Sequence, residues 1–503
     1  MKVILVLFSF LFHGLLFSQT PGFISDSLDR YIADGMKDWQ VPGLVLVIVQ
    51  DGKVVLAKGY GVKNIVSKEP VTENTLFMIA SNTKLFTATC LAQLEYDKQI
   101  SLNDKFTKYF PDYSLYEPTT TALVTIRDLL SHRIGTKTFQ GDFTFWNSRL
   151  NREEIMQKMK LLKPVGLFRQ DYGYCNSCYL SAGQVIPKIT GKEWGVYVRD
   201  SILLPLEMKN TFTSIKDLPD MRNLTKAYTT SFTGTLKEVP YDQWDNLGPA
   251  ASIISNVADL SHWLRFQLDS GRFNGKRIMP FDVIRKTRQI NIVINSQKSN
   301  IFPTHILGYA LGLDVADYNG YQVYWHGGGA AGMVSYLCFV PEKKLGIAIL
   351  TNNDNQNFYG ALRYQVLDAY LGVPYHNRSR EMLPGFEKKL KTGLDEIDGW
   401  KKRVKQIPPP LPIESYTGHY TNPLYGSMDI SLKNNRLFLK FNGHDNLTAT
   451  LDYMDHDDWL LQYDNIEYGI FSVQFKINNN KVISIDTKEN EFVEYDPYTF
   501  TKE

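Results

Sequence analysis

The apolar stretch at residues 76–88 carries a serine and a lysine three positions apart and reads Leu76-Phe77-Met78-Ile79-Ala80-Ser81-Asn82-Thr83-Lys84-Leu85-Phe86-Thr87-Ala88. Its composition predicts an apolar helix that begins near Ser81. Residues three apart share one face of a helix, so the Ser81 hydroxyl and the Lys84 amine are expected to touch. Serine is a poor nucleophile until a base takes its proton, and a lysine kept neutral by burial can be that base. The alternative is a helix-capping serine followed by a surface lysine.

A tyrosine and an asparagine two residues apart form the second signal, Tyr174-Cys175-Asn176, on a loop before a helix-like run. A nearby cation favours the phenolate, so Lys84 is expected to help Tyr174 lose its proton. Tyr174 would then serve as a base toward Ser81 or toward a hydrolytic water. The Asn176 amide can donate to a substrate carbonyl and accept from Lys84. The alternative interpretation is a packed aromatic turn.

A histidine followed by three glycines forms the third signal, at residues 326–329, before the strand-like residues 333–340. Glycines on an edge strand let a substrate backbone approach closely, and exposed N–H groups there help to form an oxyanion hole. Gly328 is therefore predicted to contact substrate. His326 is predicted to orient a substrate carboxylate or to support the tyrosine. Its alternative role is that of a buried histidine beside a tight glycine turn.

In this order, the three motifs resemble those of the serine β-lactamase and penicillin-binding protein superfamily, in its class C-like, D-aminopeptidase and esterase branch. Weaker signals fall in the family order too, among them Ser131-His132 and Pro249-Ala250-Ala251-Ser252. The resemblance covers about residues 25–375. It implies an α+β fold in which an antiparallel sheet is flanked by helices, and acyl-enzyme chemistry at Ser81 without a metal or an organic cofactor.

Three positions depart from the pattern of that superfamily. Ile134 stands where a serine is usual, Cys175 occupies the middle of the second motif, and His326 replaces the lysine of the β-lactamases proper. The last change weakens the case for a dedicated β-lactamase. The sequence therefore predicts a serine hydrolase that acts on peptides or amides, including those with D-residues, or on esters. A penicillin-binding protein that is acylated without turnover and a true β-lactamase stay open as alternatives.

The N-terminal segment predicts export. Lys2 precedes an apolar run at residues 3–17, and the small Ser18 follows it, which is typical of a signal peptide at residues 1–18. The apolar run is shorter than the about 20 residues that a spanning helix needs, so no stable membrane span is expected, with a retained anchor as the alternative. We expect a periplasmic or secreted protein.

Composition excludes some partners. The formal net charge is only +2, and the chain has no long basic run and no phosphate-binding loop, so no nucleic-acid partner is expected. Four cysteines are too few for a disulfide framework. Cys175 and Cys178 have the spacing of a redox pair, although two small packed side chains beside Tyr174 are the preferred interpretation. No metal site is predicted.

The composition of the sequence changes after the predicted catalytic domain, residues 19–380. Residues 381–412 are charged and end in a proline-rich break, which predicts a linker. Over residues 413–503, period-two alternation and tight asparagine turns predict a small all-β barrel or sandwich. Its first residues, 416–420, resemble the lipocalin-like domain that follows some self-assembling serine peptidases of the superfamily. The resemblance implies a side-chain-filled barrel with a role in homo-oligomer formation, and ligand binding in the barrel interior is the alternative. We expect this domain to be separable from the active site.

Overall fold

The computed structural model describes residues 20–405 and 407–503, so the predicted signal peptide at residues 1–18 lies outside the described residues. The α-helices are α1 (Leu28–Asp38), α2 (Thr83–Tyr96), α3 (Pro118–Leu123), α4 (Ile126–Leu130), α5 (Asp142–Phe145), α6 (Arg152–Lys158), α7 (Asn176–Gly183), α8 (Val185–Thr190), α9 (Trp194–Val198), α10 (Gly248–Ala251), α11 (Val257–Leu268), α12 (Phe281–Arg288), α13 (Phe358–Leu371) and α14 (Arg378–Arg403).

The strands before residue 352 are β1 (Gly43–Gln50), β2 (Lys53–Gly61), β3 (Phe77–Met78), β4 (Tyr228–Thr229), β5 (Lys237–Glu238), β6 (Ile254–Ser255), β7 (Arg272–Phe273), β8 (Lys276–Arg277), β9 (Ile292–Asn295), β10 (Leu307–Tyr309), β11 (Asp314–Tyr318), β12 (Tyr321–Ala330), β13 (Met333–Val340) and β14 (Leu345–Thr351). Eight of them form one antiparallel sheet in the order β2-β1-β14-β13-β12-β11-β10-β9. The remaining six form three small pairs.

Helices cover both faces of this sheet, which explains the continuous apolar runs of its central strands. Alternate residues of β1 enter different cores. Val45 and Val47 belong to the same buried cluster as residues of α2 and α11, whereas Leu44 and Leu46 belong to the cluster that contains residues of α1 and α13. The predicted α+β fold, with an antiparallel sheet flanked by helices, is therefore confirmed. Strands β1 and β2 form a hairpin whose turn contains Asp51 and Gly52, both with positive φ.

Strands β10 and β11 form a hairpin beside the helix α2. The chain reverses at Gly312, which has a φ of +77°. A Cβ at this position would lie 2.7 Å from the backbone nitrogen of Leu85. Glycine therefore lets the hairpin reverse directly against the first turn of α2, which fixes the sheet beside Lys84.

The charged segment that follows the sheet is helical for most of its length. Helix α14 extends from Arg378 to Arg403 and so crosses the domain boundary predicted at residue 380. Its last turn is fixed to the C-terminal domain, because Arg403 forms ion pairs with Asp455 and Asp458. The predicted domain limits themselves stay predictions.

The C-terminal strands are β15 (Gly418–Asn422), β16 (Gly426–Lys433), β17 (Arg436–Phe441), β18 (Thr448–Tyr453), β19 (Asp458–Tyr463), β20 (Ile470–Asn478), β21 (Lys481–Thr487) and β22 (Tyr498–Lys502). They form a closed antiparallel barrel in sequence order, so the predicted all-β barrel is confirmed. In β17, Leu437, Leu439 and Phe441 are buried, while the intervening side chains face outward. Side chains of this inward set, together with Tyr420, Trp459 and others, fill the interior.

One end of the barrel packs against α5 of the preceding domain. In an up-and-down barrel, alternate connections lie at the same end, and here these are residues 422–426, 441–448, 463–470 and 487–498. Phe143 of α5 is fully buried among aromatic rings from these connections and the adjoining strand ends, with Tyr425 at 4.9 Å and His444 at 5.4 Å between ring centroids. A catalytic-domain side chain therefore completes the barrel core, and the separability of the barrel stays a prediction.

We expect Phe143→Leu to lower the free energy of unfolding by about 1–3 kcal/mol, because it removes several aromatic contacts from a closed core. The matched control is Phe438→Leu, whose ring lies on the outer face of the barrel and is only partly buried. That control should change stability by less than about 0.5 kcal/mol. Denaturant unfolding of both variants measures the difference, and equal midpoints would contradict the role of Phe143.

Candidate active site

Ser81 lies in a strained turn at the start of α2. Residues Ala80–Asn82 form one 3₁₀ turn, and α2 begins at Thr83, two residues later than the sequence predicts. Ala80 has a φ of +47°, a conformation that is costly for a residue with a side chain. The Ser335 hydroxyl donates to the carbonyl oxygen of Ile79 at 2.6 Å and accepts from the Asn82 amide at 2.8 Å. Strand β13 therefore holds the turn that presents Ser81.

Lys84 is fully buried directly behind the serine. Its Nζ lies 2.9 Å from Ser81 Oγ, 2.7 Å from Asn176 Oδ1 and 3.0 Å from the carbonyl oxygen of Ala250. Burial lowers the pKa of Lys84 to about 7. A neutral amine that donates to Asn176 and Ala250 has its lone pair left for the Ser81 proton. This geometry would let Lys84 act as a general base.

Tyr174 lies on the other side of Lys84, with its ring centroid 4.7 Å from Nζ. Burial raises the pKa of Tyr174 well above its usual range, and a side-chain hydrogen bond with Ser81 opposes this only in part. The expectation that Lys84 favours the phenolate is therefore corrected, because burial raises the pKa of the phenol. Tyr174 rests as a neutral phenol in contact with the serine.

Asn176 begins α7 and has both ends of its amide engaged. Its Oδ1 accepts from Lys84, and its Nδ2 donates to Asp142 Oδ2 at 2.6 Å. The predicted contact with Lys84 is present. One hydrogen on Nδ2 remains for a substrate carbonyl, so that part of the prediction stays open.

His326 takes part in a chain of hydrogen bonds that leaves it no nitrogen for a substrate. The backbone N–H of Cys175 donates to His132 Nδ1 at 3.0 Å, which places the His132 proton on Nε2, facing the Tyr309 hydroxyl at 3.2 Å. The Tyr309 hydroxyl donates in turn to His326 Nε2 at 3.1 Å, and His326 Nδ1 donates to the carbonyl of Gly327 at 2.5 Å.

This arrangement argues against the predicted contact between His326 and a substrate carboxylate. The side chain is only 4% exposed, and burial lowers its pKa to about 3, so the ring is neutral. The ring lies 6.0 Å from that of Tyr174. The predicted support of the tyrosine and the alternative of a buried histidine beside a glycine turn both stay open.

Gly328 lies on the part of β12 that is next to the Ala80–Asn82 turn. Strand β11 pairs with β12 only as far as Trp325, so residues 326–330 pair with β13 alone and leave their other edge unpaired within the sheet. A Cβ on Gly328 would lie 2.2 Å from the carbonyl oxygen of Ile79. The glycine is required for this close approach, whereas its contact with substrate stays a prediction.

Two parts of the site have no motif of their own in the sequence. The carbonyl of Ala250 binds Lys84, and the only signal for it is its place in the weak family match at residues 249–252. Asp142 binds Asn176 but belongs to a glycine-preceded turn that no motif marks. Both come from segments far from residues 76–88 along the chain.

All four cysteines are buried and free, which agrees with packed side chains rather than a disulfide. Within residues 20–405 and 407–503, no group of three or more histidine, cysteine, aspartate or glutamate side chains is placed to hold a metal ion. In the same described ranges, no helix combines the length and the apolar character that crossing a membrane requires.

The lowered pKa of Lys84 predicts an acidic limb in the pH profile. Above pH about 7 the amine is neutral and can take the serine proton, whereas below it the amine is charged, so kcat/KM should fall about tenfold per pH unit. Burial keeps the pKa of His132 and of His326 below this range, so neither histidine contributes to the limb. The measurement is kcat/KM between about pH 5.5 and 9, and a flat profile across pH 7 would contradict it.

Comparison with known proteins adds a family and several relatives. Residues 28–371 match the family described as Beta-lactamase, and residues 402–502 match a domain of unknown function, DUF3471. The chain is 28% identical over 458 residues to the unguisins hydrolase ungD' of Aspergillus campestris, covering 84% of this chain and 81% of that protein. It is 27% identical over 337 residues to Protein flp of Staphylococcus aureus strain MW2, covering 65% of this chain and 63% of that protein.

The fold also matches a solved structure along nearly its whole length. The octameric penicillin-binding protein homologue from Pyrococcus abyssi superimposes with a TM-score of 0.61 at 22% identity, covering 94% of this chain and 99% of that one. At this identity the likeness shows the fold alone. It extends over the sheet, the helices and the C-terminal barrel together.

Proposed function

Because the chain belongs to the Beta-lactamase family, we propose that it is a serine hydrolase that works through a covalent acyl-enzyme on Ser81. One observation carries the proposal: Ser81 Oγ lies 2.9 Å from a buried lysine whose pKa is lowered to about 7. A serine beside a base of that pKa can lose its proton near neutral pH.

Acylation begins when Ser81 Oγ bonds to the substrate carbonyl carbon and its proton moves to Lys84 Nζ. The oxyanion is stabilised by the Ser81 N–H and by the edge of β12 at Gly328. When the tetrahedral intermediate collapses, the bond to the leaving group breaks and the electron pair remains on the leaving nitrogen or oxygen. The neutral phenol of Tyr174 gives that atom its proton and recovers one from Lys84.

Deacylation repeats these steps with water. Water attacks the acyl carbon and loses a proton to the Lys84 and Tyr174 pair, and Ser81 leaves with a proton as the acid product forms. Asn176 holds the substrate amide and the lysine throughout. This sequence needs no metal and no organic cofactor.

The substrate class is peptides and amides, including those with D-residues, or small esters. A relative whose match covers more than four fifths of this chain is named an unguisins hydrolase. This supports hydrolytic turnover rather than a stable acyl-enzyme. Export after removal of residues 1–18 and homo-oligomer formation through the barrel belong to the proposal as well. The related structure from Pyrococcus abyssi is described as octameric, which supports the second of these.

Pre-steady-state kinetics test the proposed function. The purified protein is mixed with p-nitrophenyl esters, with D- and L-aminoacyl p-nitroanilides and with nitrocefin. We expect an initial burst of product, followed by continued linear release on an ester or anilide. A single stoichiometric burst that then stops would instead identify an acylation trap, and turnover confined to nitrocefin would identify a β-lactamase.

A further inference from the structure

We propose that the C-terminal barrel is a positioning part of the catalytic centre, acting through Glu494 of the barrel and Asp142 of the catalytic domain on Asn176 and Lys84. The inference rests on the proposed role of Lys84 as the base. It concerns how that base is held, and it gives the barrel a part in the chemistry without contact with the reacting atoms.

The first step is the contact between the barrel and the turn that carries Asp142. Glu494 lies in the connection between β21 and β22 and is 3% exposed. Its Oε1 accepts from the backbone N–H of Gly141 at 2.8 Å, and its Oε2 accepts from that of Phe143 at 3.0 Å. The two N–H groups flank Asp142, so one barrel carboxyl holds the residue from both sides.

The hydrogen bonds to Glu494 help to fix the position of the short helix α5. It has four residues, and helices this short are not stable by themselves, so contacts with other parts of the protein must fix its position. Tyr498 of the barrel also donates to Glu494 Oε2 at 2.7 Å, and the Phe143 ring is enclosed by the end of the barrel. The barrel therefore supplies both the polar and the apolar support of the turn.

The second step is the orientation of the Asn176 amide. Its nitrogen and oxygen are nearly interchangeable in shape, and either could face Lys84. Asp142 Oδ2 lies 2.6 Å from Nδ2, which fixes the nitrogen on that side and leaves Oδ1 for Lys84 Nζ at 2.7 Å. A reversed amide would present N–H groups to the lysine and remove an acceptor from the base.

Asp142 acts here as an acceptor rather than as a charge. The side chain is 1% exposed, and burial raises its pKa well above the usual range, so the neutral acid is favoured. Its other oxygen, Oδ1, has no hydrogen-bond partner, which leaves the bond from Asn176 as the polar contact of this side chain. An asparagine at this position can supply the same acceptor.

Residues 141–147 are also connected, through Asp242, to the turn that follows β12. Asp242 accepts from Trp146 Nε1 at 3.0 Å and from Asn147 Nδ2 at 2.7 Å, and its other oxygen accepts from the backbone N–H of Ala331 at 2.7 Å. On the barrel side, His444 Nε2 lies 2.8 Å from the carbonyl oxygen of Trp146. Residues 141–147 thus join the barrel to two sides of the active site.

The first test compares Glu494→Gln with the control Glu489→Gln. Both residues are buried carboxyls in the same connection, but Glu489 accepts from Tyr463 and Thr487 inside the barrel. The glutamine in Glu494→Gln keeps the size of the side chain but can accept only one of the two backbone bonds. We expect this variant to lower kcat for a p-nitrophenyl ester about tenfold per titrated active site, and Glu489→Gln to stay within about twofold. Equal rates in the two variants would overturn the proposal.

The second test compares Asp142→Ala with Asp142→Asn in the full chain. The alanine removes the acceptor and should lower kcat per titrated site by about 10–100-fold, the scale of a lost hydrogen bond to a charged or buried group. The asparagine keeps an acceptor and should restore kcat to within about fivefold of the wild type. A general loss of stability would affect the titrated fraction rather than the rate per site. An asparagine variant as slow as the alanine variant would overturn the proposal.

Ser81→Ala in the same panel separates this proposal from the proposed function. Turnover by Ser81→Ala would remove Ser81 from the chemistry, and the proposed function would fail first. An inert Ser81→Ala beside equal rates in the paired variants would leave the proposed function intact and overturn only the role of the barrel.

Discussion

Ser81→Ala is expected to abolish turnover and covalent labelling by a fluorophosphonate. The alanine removes the atom that bonds to the substrate, while the helix α2 and the buried Lys84 remain in place. Loss of a catalytic nucleophile lowers kcat by at least about 10⁴-fold in serine hydrolases whose remaining site is intact. Turnover and labelling of equal amounts of the two proteins measure the effect.

The control for this experiment is Ser181→Ala. Ser181 is buried on α7 and donates to the Ser177 carbonyl oxygen at 2.8 Å, so it is a serine near the site with a purely structural bond. Its alanine variant should label and turn over within about twofold of the wild type, since no reacting group is lost. Labelling that persists in Ser81→Ala would assign the nucleophile to another residue.

Tyr174→Phe is expected to lower kcat by about 10²–10⁴-fold, the usual range for loss of a general acid or base. The variant keeps the ring against Lys84 and removes only the hydroxyl that is bonded to Ser81. Because that phenol rests in its neutral form, its loss should slow proton delivery to the leaving group and proton removal from water. Steady-state kinetics give the total effect, and the rate of labelling gives the acylation part.

Tyr172→Phe is the matched control, because Tyr172 lies on the same loop and packs on the ring of His132 at 5.8 Å. It should retain kcat within about twofold, as is usual for a change away from the reacting groups. If Tyr174→Phe turns over nearly as fast as the wild type, Lys84 alone must carry out the proton transfers. Normal labelling with slow turnover would confine Tyr174 to deacylation.

The parts of the site that follow from local spacing could be predicted from the sequence. Ser81 and Lys84 are three residues apart across a 3₁₀ turn and the first turn of α2, so their contact needs no knowledge of the rest of the fold. The contact of Asn176 with Lys84 could be predicted because the family order of motifs places the two segments together. The closed barrel could be predicted from period-two alternation, which is a local property of each strand.

Other parts depend on tertiary contacts that no local pattern contains. Ala250 acts through a backbone carbonyl, which every residue has, so its side chain carries no signal. The pKa of Tyr174 was expected to fall because of its neighbouring cation, but burial decides its direction, and the extent of burial is a property of the whole fold.

The place of the barrel could not be predicted for a similar reason. Its interior alternation is complete within residues 418–502, so nothing in that segment shows that an outside ring closes one end. Phe143 lies about 280 residues before the first barrel strand, in a short turn without helical periodicity. Only the folded structure places it among the rings of the barrel.

Peptide mapping of the trapped acyl-enzyme tests the central claim most directly. Wild-type protein is quenched in acid during turnover of a p-nitrophenyl ester and digested with trypsin, and the peptide at residues 69–84 is analysed by mass spectrometry. We expect this peptide to gain the mass of the acyl group on Ser81, and the same peptide from Ser81→Ala to gain none. An acyl group on any other residue, or steady turnover by Ser81→Ala, would contradict the claim.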